Sequence, residues 1–407
     1  MNTSRLFGLR LIFKKPFIAL ALLILLLMLN YIFFIALRTV ISTAEGREQA
    51  SHFDKPGTYI ANLDPGSDVD FERLTNEVLK STYAYLEDNY LYAFHVDGVI
   101  ADIPNKRGFE IPVSYTNQKF DELDGFSTDH GGGLQFDYRI SRGDVIPVLV
   151  GKGLAEEYPL GSQFKLNDPA LEREVTVQVS GILEKDAARS NLYAYDSKDY
   201  YNFSLVVPVT EEFIRLSNID LKLNGLNDLV ILDADEPSIV ALKNRIYEAT
   251  GAQFNFFNHD ENREYYYEYY YPSLIFVSII ALVLTVLIVA GTVWSSLVNV
   301  NLMIREFTLN RLVGLSYRNL GISFFVYYAL LALVALSALY LFTLYSRLQF
   351  WSGIDPSFIT FGTAGLIKMD WIAFLATALL DAVLIGALVF LVTWRIKRVP
   401  ISIGVLQ

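Results

Sequence analysis

The sequence predicts an α+β membrane protein in which four transmembrane helices carry one large extracytoplasmic domain, set between helices 1 and 2. Three observations lead there. The 407 residues are 53% hydrophobic, with a mean hydropathy of +0.33, more apolar than an ordinary water-soluble chain. The excess is gathered into four blocks of about twenty apolar residues, the length that crosses a bilayer. The long stretch 38–271 between the first two blocks instead alternates strand and helix patterns, as a globular domain does.

Residues 1–16, RLFGLRLIFKKP and what precedes it, form a basic, amphipathic cytoplasmic N-terminus. The first block, FIALALLILLLMLNYIFFIAL (17–37), exceeds the ~7–15 residues of a signal-peptide core, and no small-x-small site follows. It is expected to stay as an anchor. The second helix covers 272–298 around SLIFVSIIALVLTVLIVAGTVW, the third 322–345 and the fourth 371–394. A cytoplasmic helix is expected over 299–320, a short extracytoplasmic loop over 346–370 and a cytoplasmic tail over 395–407.

Lysine and arginine set the orientation. Arg5, Arg10, Lys14 and Lys15 stand before the first helix with no acid. Arg305, Arg311 and Arg318 face only Glu306 after the second, and Arg395, Lys397 and Arg398 follow the fourth. Four spans place all three groups, and both termini, on the cytoplasmic side of the cell membrane. These pieces total a formal +9 and Asp381 adds −1, so against −11 overall the outside carries −19. So acidic an exterior excludes nucleic acid as a partner there.

Within 38–271, GTYIANLD, DFERLTNEVLKSTYAYLED and LYAFHVDGVI read as strand, helix, strand over 57–100. A second set follows at 203–258: FSLVVPVT, EEFIRLSN, LNDLVILDAD, EPSIVALKNRIYEATG and AQFNFFN. Two βαβ halves separated in sequence predict a split ferredoxin-like layer. The strand-rich piece at about 138–200 reads as an inserted β subdomain. DELDGFSTDHGGGLQFD (121–137) is polar and glycine-rich and reads as a loop.

Catalytic chemistry finds no support. No G-x-S-x-G elbow accompanies His130-Gly131-Gly132-Gly133, and His52, His95, His130 and His259 lack metal-ligand spacing. There is no cysteine, so disulfides and thiolate sites are excluded. We expect no metal, no cofactor and no catalytic residues.

Two features remain. REYYYEYYYP (263–272) holds Tyr265, Tyr266, Tyr267, Tyr269, Tyr270 and Tyr271 directly before the second helix. It reads as an aromatic belt at the membrane interface, with ring toward lipid and hydroxyl toward water; a specific binding site is the sharper alternative. Helical spacing puts Tyr266, Tyr269 and Tyr270 on one face and Tyr267 and Tyr271 on another, with Pro272 as a rigid boundary. Asp381, near mid-bilayer in the fourth helix, is costly there and a functional candidate by default. Asn30 of the first helix is its possible partner, and a hydrogen-bonded pair within the bundle is the plainer account.

VNVNLMIREFTLNRLVGLSYRNLG (298–321) is too apolar for a free loop and too short to span. Leu302, Phe307, Leu309, Leu312 and Val313 predict an amphipathic helix lying against something. Arg305, Glu306, Phe307, Thr308, Arg311, Gly314 and Ser316 resemble the signature that follows the second helix in MacB/FtsX-type ABC transporter permeases. RGDVIPVLVGKGLAEEYPLGSQFKL (142–166) and EVTVQVSGILEKDA (174–187) resemble that family's exterior domain. Asn310 and the tyrosine run depart from it.

The resemblance implies a permease subunit, not itself an enzyme, with ATP hydrolysis on a separate ABC ATPase; the chain has no G-x-x-x-x-G-K-[ST] loop. It implies that the ATPase docks through Arg305, Glu306, Phe307, Arg311, Leu312, Gly314 and Ser316, with Phe307 and Leu312 as apolar anchors. It further implies mechanotransmission: ATP-driven motion reaches the exterior domain, for export or extraction of a peptide, such as an antimicrobial peptide, or of a lipid-linked substrate. Expected partners are that ATPase, a second permease protomer, identical or not, and membrane lipid. The alternative is an FtsX-like regulator that activates a cell-wall hydrolase without transport. A ligand-sensing receptor would need a larger cytoplasmic output domain.

Overall fold

The computed structural model describes residues 16–67, 70, 73–106, 108, 110–192, 195, 197–312, 314–349 and 365–398, without the side chains of 310, 311, 348 and 349. The N-terminal amphipathic stretch, most of the 346–370 loop and the end of the tail lie outside these residues. The described residues form two compact units, one within 16–41, 273–348 and 366–398, the other within 42–272 with 349 and 365.

Helix α1 runs Pro16–Ala50. The domain then unfolds in chain order as β1 (Tyr59–Leu63), α2 (Asn76–Asn89), β2 (Leu91–Ala93), β3 (His95–Ala101), β4 (Ile111–Asn117), α3 (Gln118–Leu123) and β5 (Thr128–Gly131). Next come β6 (Ile146–Val150), β7 (Gln163–Asp168), β8 (Arg173–Leu183), β9 (Ala188–Ser190), β10 (Lys198–Tyr200) and β11 (Leu205–Val209). It closes with α4 (Glu211–Leu216), α5 (Ile219–Leu226), β12 (Val230–Leu232), α6 (Glu236–Thr250), β13 (Phe254–Asn258) and α7 (His259–Tyr265). A π-helical turn over Tyr266–Tyr270 leads into α8 (Tyr271–Leu302), α9 (Ile304–Leu312), α10 (Tyr317–Gln349) and α11 (Lys368–Lys397).

Four helices among the described residues are long and apolar enough to cross a membrane. Leu22, Leu26 and Leu29 of α1, Phe324, Tyr328 and Leu331 of α10, and Leu384 and Leu388 of α11 share one buried core. Phe276, Leu282, Leu375, Val383 and Phe390 point outward, each more than 60% exposed. In water that surface would aggregate; it suits lipid.

The first sheet of the domain is ordered β13-β1-β12-β2, antiparallel throughout. With α2 and α6 it forms the split βαβ layer that the sequence predicts. Each helix starts on a side-chain cap: Thr75 accepts from the Val78 amide and Asp235 from that of Ser238. Gly251, at φ +71°, ends α6 in the left-handed turn that glycine tolerates. Leu79, Tyr83 and Leu86 of α2 and Leu242 and Ile246 of α6 bury themselves with Ala61, Ile231 and Phe254 of the strands.

The inserted β subdomain is larger than the expected 138–200. A second sheet, β3-β4-β11-β6-β8-β5 with β7 on β8, takes in chain from His95 to Val209. LYAFHVDGVI is therefore two strands that part at Phe94. Asn117 makes the joint, accepting from the Phe94 amide at 2.9 Å and donating to the Tyr92 carbonyl at 3.0 Å. Strand β11, expected in the first layer, lies parallel to β4 and is buried along its whole length. The 121–137 segment is only partly a loop: Thr128–Gly131 pairs with β8. A Cβ at Gly131 (φ +89°) would stand 2.5 Å from the Ser180 carbonyl oxygen.

One ion cluster in the helical unit had no signal in the sequence. Asp370, at the start of α11 and fully buried, meets Arg38 Nε of α1 at 3.0 Å. It also accepts a two-pronged contact from Arg347 of α10, with both bonds at 3.1 Å. One carboxylate thus ties three helices through the planar donor geometry of arginine. Replacing Asp370 by Asn leaves two guanidiniums without their counter-charge. Asp370→Asn is expected to destabilise the purified protein by about 3 kcal/mol, read as a fall in unfolding midpoint. Arg347→Met should cost less, because Arg38 still faces the carboxylate.

Candidate functional site

The 298–321 segment folds as a bend after α8, the helix α9 and a turn into α10. Its helix has apolar residues on two faces, not one. Met303, Ile304, Phe307 and Thr308 are buried, and Phe307 packs edge-on to Phe324 at 5.3 Å. Phe307 therefore seats α9 on the helical core and cannot serve as a partner's anchor. Leu302, Leu309 and Leu312 are 61%, 45% and 59% exposed, and Arg305 is exposed with them, while Glu306 is half-buried. The Arg311 side chain and Val313 lie outside the described residues. Gly314 sits at φ +102°, with open space where a Cβ would be. Ser316 accepts from the Asn319 amide at 3.2 Å and caps α10. The turn thus needs its glycine for backbone reasons alone, and its serine to start the next helix.

The tyrosine run is continuous helix, and Pro272 lies inside it without breaking it. A proline ring clashes with the carbonyl four residues back and removes a donor. The π turn at 266–270 ends just before Pro272, where Tyr271 donates to the Tyr266 carbonyl; this widening accommodates the proline. The extra residue per turn also shifts the phase. Tyr269 is 61% exposed while Tyr266 is 7% exposed, so they do not share the face that 3.6-residue spacing predicts. Tyr265, Tyr267, Tyr269 and Tyr271 point outward, paired as Tyr265–Tyr269 and Tyr267–Tyr271 with ring centroids 4.9 and 5.7 Å apart.

Tyr266 faces inward. The Arg47 guanidinium of α1 lies 4.9 Å above its ring, and Tyr195 meets it edge-on at 5.1 Å. Tyr195 also touches Tyr270 at 5.7 Å. The same turn of α1 grips the β9–β10 hairpin. Glu45 pairs with Lys198, and Gln49 accepts from the Ser190 amide at 2.8 Å. Gly46 lets Tyr195 approach so closely that a Cβ would lie 1.9 Å from its carbonyl oxygen. The end of α1, the hairpin and the foot of the tyrosine helix form one clasp. Nothing in the sequence placed Arg47, Gly46 or Tyr195 in it.

Asn30 and Asp381 do meet: Asn30 Nδ2 donates to Asp381 Oδ2 at 2.9 Å, with both residues buried.

A recess of roughly 330 Å³ in the domain collects ionisable groups from β3, β9, β10 and the turn before β12. His95 Nε2 stands 2.6 Å from Asp97, and Tyr201 donates to the same carboxylate at 2.9 Å. Burial works against the charge of Asp97, but His95, the Ser114 hydroxyl and Arg189 outweigh it and hold the carboxyl well below its ordinary range. Asp199 and Asp228 are pushed up to about 7, by burial first and then by the negative charge of Asp97. No grouping of metal ligands occurs among the described residues.

No family model matches the chain, and no curated protein does. Among solved structures it is similar to the periplasmic region of MacB from Actinobacillus actinomycetemcomitans. That match has 12% identity and a TM-score of 0.31, covering 51% of this chain and 92% of that one. It is also similar to the extracellular domain of the noncanonic ABC-type transporter YknZ from Gram-positive bacteria (12%, 0.28; 49% and 100% covered). A domain of a putative permease protein from Porphyromonas gingivalis is a third (12%, 0.27; 51% and 93%).

Two outcomes follow. Gly46→Ala forces α1 and the hairpin apart and should lower domain stability by about 1–3 kcal/mol in thermal unfolding, as overpacking does. Among single Tyr→Ala changes, Tyr266→Ala should resemble it, and Tyr269→Ala should be near neutral in the same assay. The raised acids give a pH signature. In the folded state Asp199 and Asp228 hold protons that the unfolded chain releases, so their contribution is full below the ordinary carboxyl range and is lost as pH rises through about 7. Asp228→Asn, which also suits the φ of +72° there, should stabilise by on the order of 1 kcal/mol at pH 8 and by nothing at pH 4. Equal effects at both pH values would contradict this.

Proposed function

We propose that the chain is the permease subunit of a MacB/FtsX-type ABC transporter, with N- and C-termini on the cytoplasmic side and the acidic domain outside. In this reading a separate ATPase docks on α9, and its closure is passed through the four helices to the domain. The supporting observation is the outward face of α9, seated by Phe307, where Arg305, Leu309 and Leu312 stand exposed, with Leu302 exposed at the end of α8. A short helix offering apolar side chains and a cation is the shape that fits a groove on a partner. Gly314 and Ser316 then hold the turn that joins this helix to α10.

Above the membrane, the clasp of Arg47, Tyr266 and Tyr195 binds the ends of the first and second helices. Displacement of either helix is thereby delivered to the domain. Outward-pointing Tyr265, Tyr267, Tyr269 and Tyr271 serve as the interface belt, and Tyr266 and Tyr270 serve the clasp. The motion expels or extracts a peptide or lipid-linked substrate. A second protomer, identical or related, completes the assembly.

Co-purification with the cognate ABC ATPase tests the reading. Arg305→Glu and Leu309→Asp should each weaken the complex at least ten-fold while leaving the permease's own unfolding midpoint unchanged. Phe307→Ala should do the reverse, lowering that midpoint by several degrees. If Leu309→Asp retains the ATPase as well as wild type, α9 is not the docking helix.

A further inference from the structure

The domain holds a groove of roughly 900 Å³, lined by α2, β2, α3, α4 and the segment before the Ile140 turn. That volume suits a small ligand or a short peptide, not a folded protein. Its chemistry is concentrated in one residue. The Glu87 side chain, 9% exposed, stands in the last turn of α2, and its Oε1 is buried without a hydrogen-bond partner among the described residues. The nearest cation, Arg215 Nε, is 3.7 Å from the other oxygen, beyond hydrogen-bond distance. Arg215 is itself 44% exposed and shared with Glu211. A carboxylate at a helix C-terminus opposes the helix dipole as well. Both placements disfavour this acid in the empty groove, and a bound cation would relieve both.

The other acids of the groove are engaged or open to water. Glu122 takes Lys119 at 2.5 Å, Glu212 accepts the amides of Ile140 and Ser141 at 3.0 and 3.1 Å, and Glu211, its side chain 67% exposed, stands 3.9 Å from Arg215. The hydroxyls of Tyr90 and Tyr138 donate to the carbonyls of Ser238 and Pro208. Tyr90, half-buried, therefore offers its ring and not its hydroxyl, and Tyr138, 6% exposed, only edges the groove. Lys119, Arg139 and Arg215 line the same groove and would repel a ligand charged along its length. One open carboxylate oxygen, an aromatic ring and surrounding cations describe a receptor for a single positive charge on an apolar stem.

We propose that this groove binds a short peptide by one lysine or arginine side chain, its ammonium or guanidinium on Glu87 Oε1 and its stem against Tyr90. The strongly acidic domain would draw such a ligand in. The inference requires no ATPase, so it stands or falls apart from the docking of α9.

The test is fluorescence anisotropy on the full chain in nanodiscs, without nucleotide, using a labelled Ala-Phe-Lys-Phe-Ala and its norleucine counterpart. Wild type should bind the lysine peptide at least ten-fold more tightly than the norleucine one. Glu87→Gln should erase that ratio, whereas Glu122→Gln should keep it. Thermal unfolding of Glu87→Gln at pH 8 checks folding and should give a midpoint no lower than wild type. A ratio near one in wild type, or a ratio kept in a folded Glu87→Gln, overturns the proposal. Spermidine displacing the peptide at equal concentration would also overturn it, because a polycation would then suit the groove as well.

Discussion

The guanidinium of Arg47 laid on the ring of Tyr266 is the contact on which the domain's frame depends. The end of α1 opens the domain in sequence, and α7 with the π turn closes it, so the two ends of a segment of some two hundred residues are brought side by side. Arg47 over Tyr266, Tyr195 against both Tyr266 and Tyr270, and Gly46 under the Tyr195 carbonyl make them one piece. A cation over a ring suits this place. It tolerates small rotations that would break a hydrogen bond, and it keeps its strength where neighbouring rings exclude water.

Much of this was legible in the sequence where a single physical signal ruled. Four apolar blocks, interrupted by charge only at Asp381, read as four helices, since nothing else accommodates twenty apolar residues in a row. The split βαβ layer followed from the alternation of strand and helix patterns. The sequence failed where two assignments look alike in one dimension. Leu205–Val209 is uniformly apolar, so it fits a buried strand in either sheet, and only the pairing of Leu205 with Val113 decides. The segment 91–100 reads as one strand because Phe94, where it parts, is as apolar as its neighbours.

The candidate sites divide in the same way. Asn30 and Asp381 stood out because each is polar inside an apolar block, and such groups have few partners to choose from. Arg38, Arg347 and Asp370 stood at block ends, where charge is ordinary, so their meeting carried no signal. Phe307 was read as facing outward because α9 has apolar residues on both faces. The period gives a stripe but not which of two stripes is inside. The tyrosines were assigned faces by 3.6-residue spacing, which the π turn before Pro272 shifts by about one residue.

That π turn also bears on where the returning helix can bend. Helix α1 is uninterrupted from Pro16 to Ala50, whereas the returning helix carries its one described irregularity at Tyr266–Tyr270. A widened turn has weaker axial hydrogen bonding than an α turn, so bending concentrates there. Yet Tyr266 and Tyr270, the first and last residues of the turn, are the two that touch Tyr195. The soft point is therefore buttressed from the side that faces the domain. On its open side Tyr265, Tyr267, Tyr269 and Tyr271 project with Glu264 and Glu268, all exposed. Bending toward the hairpin is blocked by the clasp and bending away from it is not. A helix built in this way gives more readily in one direction than in the other.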